Sequence, residues 1–362
     1  MKKIKLGICC NFGPPHCGGS EYVLENIAAH LMVKYDYEIN IYGFNYKKVS
    51  TYRGMNLIPC QKGDRLISQI AKNDHIIVYS DSFWEFDTLV RNIEKIDCGV
   101  SLALVGAYHL QSHPEIFKLF KENIDKFNLI THSLITPDYK WCIDNDLPVK
   151  VILNGVNIEE FSQNTVNFRE KYNIKEKYIV LNVGNYFFGK GFELLPKICR
   201  KIKSKDFIVI QCSNSVQYSY DKVFLDRTKK QSKGLNIRFL RDLPREDVVA
   251  AFKCSDVFLF SSKKEVAPLV ILESRAAKLP WVSMDVGNVG ESTGGAVISN
   301  NDVDRKGYKI VNDEIVDNYV DNIVQILKNK NERERYISEG QENIDQIDWK
   351  NIVNLYHEVF SK

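Results

Sequence analysis

Tyr178-Ile-Val-Leu-Asn-Val-Gly184-Asn-Tyr-Phe-Phe-Gly189-Lys190-Gly191 is the stretch whose reading decides the fold. It opens as an apolar run of strand length, breaks into a loop where a lysine stands between two glycines, and gives way to a helical pattern. A strand that feeds a loop and then a helix is the repeating unit of a parallel sheet covered by helices. The same succession runs on from there through strand candidates at Phe207–Cys212, Asn236–Leu240, Asp256–Phe260 and Trp281–Met284. Upstream it supplies Ile4–Cys10, Glu38–Phe44, His75–Asp81, Val100–Val105, Asn128–Thr131 and Val149–Leu153. Most of these are apolar at consecutive positions, as strands buried on both faces are. The expected class is therefore α/β, with two doubly wound halves.

A chain of 362 residues is long enough for two such cores. Asn154-Gly155-Val156-Asn157 between the two series reads as a turn, which places the domain break near residue 156. The helix after the first strand shows one buried stripe in Leu24, Ile27, Ala28 and Leu31, with Ser20 as the expected cap and Glu21 on its dipole. The final stretch, Asp348–Phe360, is amphipathic through Trp349, Ile352, Val353, Tyr356 and Phe360, so it must find a surface to cover.

Composition narrows the function. Hydrophobic residues make up 44% and charged residues 26%, as in a folded globular protein, and a net charge of +3 is too small to argue for nucleic acid. An anionic small molecule fits that charge. The nine cysteines form no C-x-x-C pair and most lie in apolar runs, which reads as reduced core residues in a cytoplasmic protein. The apolar stretch Ile4–Cys10 is too short for a signal sequence, and no run reaches the roughly 18 apolar residues of a membrane span.

Three loops follow strands and open helices, where backbone N–H groups can stabilise an anion. The first is Gly13-Pro-Pro-His-Cys-Gly18-Gly19-Ser20, which lacks the G-x-G-x-x-G spacing of dinucleotide binders. A glycine turn serving only helix packing is its other reading. The second, Gly184 to Gly191, lets Lys190 set a point charge against a diphosphate, unless that lysine is merely solvated. The third, Ser261-Ser-Lys-Lys-Glu265-Val-Ala-Pro268, runs into a helix expected at Leu269–Ala277, with Pro268 suited to its first turn. Glu265 stands before this helix and Glu273 roughly one and a half turns inside it. Among apolar neighbours a carboxylate at Glu273 needs donors, which a ribose diol would supply; pairing with Arg275 or Lys278 at the surface is the alternative.

Taken together these residues resemble the family-4 glycosyltransferases over nearly the whole chain. Gly18-Gly19-Ser20-Glu21 is similar to the family's first phosphate loop. Val151-Ile-Leu-Asn154-Gly155-Val156-Asn157 with Phe161 resembles its V-I-P-N-G-V-D-x-x-x-F, and Val183-Gly184 with Lys190-Gly191 its V-G-R-x-x-x-x-K-G. Glu265 through Glu273 is similar to its E-x7-E signature, and Asp285-Val-Gly287 with Glu291 to the D-V-G-x-x-x-E that follows.

The resemblance implies a GT-B fold: two Rossmann-like domains facing across a cleft, residues 1–156 for the acceptor and 157–345 for the donor, with a helix in 346–362 crossing back to the first. It implies a retaining, metal-independent transfer from a nucleotide diphosphate-sugar, UDP favoured over GDP, to a glycan, lipid-linked or small-molecule hydroxyl. It assigns Lys190 to the leaving diphosphate, Glu265 to the donor sugar, Glu273 to the ribose, and His109 to the sugar from the first domain, with His113 a weaker competitor. Gly18, Gly19, Gly184, Asn185, Val266, Ala267, Pro268 and Leu269 complete the expected donor site, and no cofactor or metal is implied.

Four departures stand out. Asn185 replaces a usual arginine, for which Lys263, Lys264 or Arg245 could compensate; Val266 replaces a glycine, Leu153 replaces a proline, and Cys212-Ser-Asn-Ser replaces a glycine-aspartate-glycine turn. They leave two rivals in view, a nucleotide-sugar epimerase of the same architecture and a nucleotide-sugar-binding protein with little turnover. Asp144-Asn-Asp146 and Asp302-Val-Asp304 have the form of a metal-binding D-x-D but read as chance matches. Ile116–Phe127 alternates Phe117, Phe120, Ile124 and Phe127 with Lys118, Lys121 and Lys126, which allows a peripheral contact at the inner face of the membrane; a sheet-covering helix is the plainer reading.

Overall fold

The apolar runs pair as parallel strands in two separate sheets. The computed structural model describes residues 3–15, 18–106, 108–202, 204–214 and 219–361. The chain divides into one unit of Met1–Gly155 with Trp349–Lys362 and a second of Val156–Asp348.

In the first unit the strands are β1 (Lys5–Cys10), β2 (Glu38–Gly43), β3 (Ser50–Tyr52), β4 (Met55–Pro59), β5 (His75–Tyr79), β6 (Gly99–Ala103), β7 (Phe127–Thr131) and β8 (Val149–Val151). Their order is β3-β4-β2-β1-β5-β6-β7-β8, parallel except for the β3–β4 pair. The second unit holds β9 (Tyr178–Val183), β10 (Phe207–Ser213), β11 (Ile237–Arg241), β12 (Val257–Phe260), β13 (Trp281–Met284) and β14 (Gly295–Ile298). Their order is β11-β10-β9-β12-β13-β14, parallel throughout. In each sheet the first strand has later strands on both sides, so the direction of winding reverses between β1 and β5, and between β9 and β12. Ligands of such sheets bind at that switch, outside the carboxyl ends of the strands.

Several expectations need correction. The first helix is Gly19–Tyr35 with Gly18 at its cap, so Ser20 lies inside the first turn and caps nothing. Asn154–Asn157 is no turn: the segment runs extended, and Val156 bridges to Asp348 and donates its N–H to the Ile347 carbonyl at 2.8 Å. The strand expected at Val100–Val105 stops at Ala103, because Gly106 at φ +86° turns the chain away. Ile116–Phe127 is not one helix but the helix Pro114–Glu122, a short turn, and the start of β7. Its apolar side is spent inside: Ile116 and Phe120 are buried, and the Phe117 ring packs 5.2 Å from that of Trp141. Among the described residues no helix is long and apolar enough to cross a membrane.

The amphipathic end of the chain forms the helix Trp349–Phe360, which belongs to the first unit. It packs along the helix Gly19–Tyr35, with His357 stacked on Tyr35 at 3.7 Å and accepting or donating a 2.9 Å bond at the Tyr37 hydroxyl. Trp349 is wholly buried, and a Cβ added at Gly155 would meet its ring at 2.6 Å. Truncating a side chain of that size in a core costs roughly 3–5 kcal/mol.

The floor of the first sheet holds a pH-sensitive group. His75 is buried on β5, with Nε2 2.8 Å from the Ser101 hydroxyl, and burial pushes its pKa down to about 4. The native state therefore holds the neutral ring. Its contribution is complete above the unfolded value near 6.5 and is lost as pH falls from there toward 4, up to roughly 3 kcal/mol. Burial lowers His132 too, in the same sense. Urea midpoints at pH 7 and 4.5 should show a smaller acid loss in His75→Gln than in the native chain; equal losses would exclude His75 as a source.

Candidate functional site

At the switch point of the second sheet, the loops after β9 and β12 are bound to one another. Asn182 of β9 donates its side-chain amide to the Leu259 carbonyl at 2.7 Å and to the Ser261 hydroxyl at 3.1 Å. Ser261 in turn donates to the Lys190 carbonyl at 2.7 Å, and the Lys263 N–H to the Gly189 carbonyl at 2.7 Å. Gly191 sits at φ +66°, and a Cβ there would collide with the Ser261 carbonyl oxygen. Only glycine allows this approach, since the obstacle is backbone and cannot yield. The lysine is thus fixed against the second loop by bonds at the Gly189 carbonyl and at its own, and by the close approach at Gly191.

That approach brings the side chains together. Lys190 Nζ lies 2.6 Å from Glu265 Oε1, the carboxylate being almost covered. Glu273 is buried in the helix Leu269–Ala276 and meets Arg245 Nη1 at 2.5 Å. Arg245 also grips Glu160 through Nε at 3.0 Å and Nη2 at 2.8 Å. The surface alternative for Glu273 does not hold: Arg275 turns to the carbonyls of Gly340 and Glu342 instead. A buried carboxylate without a partner is costly, and each of these two has one cation. Lys263 pairs with Glu193 at 2.7 Å and lies 3.5 Å above the Phe188 ring, so it is engaged away from the place Asn185 leaves. Asn185 accepts from the Asn214 N–H at 3.4 Å, bracing the loop after β10.

Val266, Ala267 and Pro268 lead into the helix, with Pro268 at the cap rather than inside the first turn and Leu269 the first helical residue. The Val266 carbonyl accepts the Asn288 N–H at 2.9 Å, and Gly287, at φ +56°, presses directly on it. Asp285 does not reach the loops, being held by Lys309 at 2.8 Å and by the Asn300 N–H. Gly184 closes β9 with its N–H on the Cys212 carbonyl at 3.0 Å.

In the first unit the Gly18-Gly19 turn starts its helix beside the switch point, and the Glu21 carboxylate folds back over Gly18. His16 and Cys17 of that loop lie outside the described residues. His109 is not at a strand end; it stands on the short helix Tyr108–Ser112. Asp81, fully buried after β5, accepts the N–H groups of His109 and Leu110 at 2.9 and 3.0 Å, and burial holds its carboxyl above the usual range. His109 Nε2 is 2.6 Å from Asp87 Oδ1, and its ring stacks on His113 at 4.0 Å. Among the described residues no three His, Cys, Asp or Glu are grouped to hold a metal ion.

Sequence reasoning missed Asn182, Glu160 and the pairing of Arg245 with Glu273. Glu160 and Arg245 are 85 positions apart, and no local pattern joins them.

Two sheets wound in this way, with the second switch point armed by Lys190 and Glu265, define the GT-B fold. Sucrose-phosphate synthase from Thermosynechococcus elongatus superposes with a TM-score of 0.77 at 14% identity, covering 99% of this chain and 100% of that one. Anabaena HepE, solved in complex with UDP-glucose, gives 0.73 at 14% identity over 99% of both chains. An uncharacterized glycosyltransferase of Methanocaldococcus jannaschii is 24% identical over 407 aligned positions, spanning 100% of this chain and 99% of its own. Residues 164–343 match the family described as glycosyl transferases group 1. The chain is a glycosyltransferase, and its second unit belongs to group 1.

Proposed function

We propose that the chain moves a sugar from a nucleotide diphosphate-sugar, UDP favoured, to an acceptor hydroxyl, with retention and without a metal. The observation that carries this reading is the junction of Lys190 and Glu265 at the switch point of the second sheet. A sugar diphosphate placed there would exchange the mutual ion pair for two separate contacts, the ammonium taking the diphosphate and the carboxylate taking sugar hydroxyls. Glu273 would accept the ribose hydroxyls, and the amide-rich start of the helix Leu269–Ala276 would face the phosphates. HepE, of like fold, binds UDP-glucose, which supports the preference for uridine.

Charge develops on the β-phosphate as its bond to the anomeric carbon breaks. A fixed ammonium there stabilises the transition state more than the ground state, which is what raises turnover. The acceptor oxygen bonds to the anomeric carbon on the face the diphosphate leaves, and its proton passes to the departing phosphate oxygen.

The test is thermal unfolding of the purified chain with UDP, GDP and ADP in a chelator. A ligand bound only to the folded state stabilises it by about 2.7 kcal/mol at a hundred times its Kd. UDP should raise the melting point most; no response to any of the three sinks the donor assignment.

A further inference from the structure

An exposed aromatic cluster lies in the first unit, at the carboxyl ends of β1, β2 and β5. The loop after β5 reads Ser80-Asp-Ser-Phe-Trp-Glu-Phe-Asp87 and carries Trp84, which stays 59% exposed. Phe12, from the loop after β1, meets its ring edge-on at 5.7 Å and is itself 37% exposed. Phe44, after β2, lies 5.0 Å from the same indole at a tilt of 33°. Large aromatic faces left open to water are seldom accidental when they cluster.

This cluster is also held rigid. Asn11 accepts the Trp84 N–H at 2.9 Å and donates to the Ser82 carbonyl at 2.9 Å, tying the β1 and β5 loops together. The Phe44 N–H reaches the Asn11 carbonyl at 3.1 Å, while Asn45 exchanges two 3.1 Å bonds with the main chain of Gly13. The Tyr46 hydroxyl fixes the Pro14 carbonyl at 2.7 Å. Three loops thus present one indole in a set position, a preorganisation that reduces the entropic cost of binding.

The surrounding charges select the ligand. On the loop that carries Trp84 the acids that reach solvent are Glu85 and Asp87, Asp81 being buried, and residues 80–87 hold no lysine or arginine. Asp87 is partly exposed beyond the oxygen it gives to His109. Carboxylates accept from hydroxyls and repel phosphates, and an aromatic face receives the C–H face of a sugar ring. An acidic rim opposes an anionic lipid surface as well.

We infer that Trp84, with Phe12 and Phe44, forms a stacking platform for a neutral sugar ring, so that the acceptor is an uncharged saccharide. The inference rests on the transferase reading of the preceding section. Of the four tryptophans, Trp281 and Trp349 are wholly buried and Trp141 is half-buried, so Trp84 supplies the emission most open to water. Titrating maltose, cellobiose and lactose into the full chain should shift that emission to the blue and quench it. Trp84→Ala should abolish the shift, and Phe12→Ala should weaken apparent affinity about tenfold. Trp84→Tyr, which keeps an aromatic face, should still bind the sugars, read by calorimetry; circular dichroism checks that all variants fold. No response to any neutral sugar overturns the proposal, as does a response that persists in Trp84→Ala. Stronger binding of glucose 6-phosphate, or Trp84-dependent binding to phosphatidylglycerol vesicles, overturns it equally. Melting of the same sample with UDP reports on the donor reading alone, so the two failures are distinguishable.

Discussion

Lys190→Ala is expected to lower kcat by roughly 10²–10³ while the donor KM changes by less than about tenfold. The ammonium sits on a loop whose main chain is bonded to the loop after β12 at Gly189 and Lys190, with Gly191 packed against the Ser261 carbonyl. Truncating the side chain leaves those bonds intact, so the charge is removed without releasing the loop. What is lost is the interaction that strengthens as the diphosphate departs. The complication is Glu265, whose carboxylate is left nearly covered and without its cation, at a cost of about 1–3 kcal/mol. Glu265→Gln and the double variant complete a cycle that separates this coupling from the chemical effect. Unchanged turnover in Lys190→Ala would falsify its assignment to the leaving group.

The parts of this molecule that were legible in the sequence are those whose cause is local. β9 and β12 announce themselves as apolar runs, and the glycines around Lys190 mark a loop that must approach another main chain closely. The edge strand β3 and its neighbour β4 went unread, β3 being three residues of Ser-Thr-Tyr with no alternation long enough to detect. β14 is only four residues, Gly295-Ala-Val-Ile298, and opens on glycine, so its pairing with β13 is a property of the sheet rather than of the segment. Asn154–Asn157 has the composition of a turn, yet Val156 finds a distant partner in Asp348, and the chain stays extended. His109 shows the same limit: the apolar run before it suggested a strand, whereas Gly106 and the buried carboxylate of Asp81 make it part of a helix. At the second switch point, Glu265 and Lys190 could be named from their loops, but the cation that faces Glu273 could not. Arg245 begins a helix in another part of the unit, and only the packed structure brings it to the acid.

That distant partner makes Glu273→Ala informative about binding rather than folding. Glu273 is buried, and under the donor reading its carboxylate takes both ribose hydroxyls, each charge-assisted bond contributing about 1.5–3 kcal/mol. Loss of the pair should raise the donor Kd roughly a hundredfold, with kcat at saturating donor much less affected. Stability should change little, because Arg245 keeps two bonds to Glu160 and a third of its side chain reaches solvent. Glu273→Gln retains a neutral acceptor and should fall between the native chain and alanine. Arg245→Ala is the contrasting case: it strips the cation from both Glu273 and Glu160, so it should cost stability as well as affinity. Calorimetric titration with UDP beside urea unfolding separates the two quantities. If Glu273→Ala lowers the urea midpoint sharply while the folded chain binds UDP as before, the acid is a structural counterion to Arg245 and the ribose assignment is wrong.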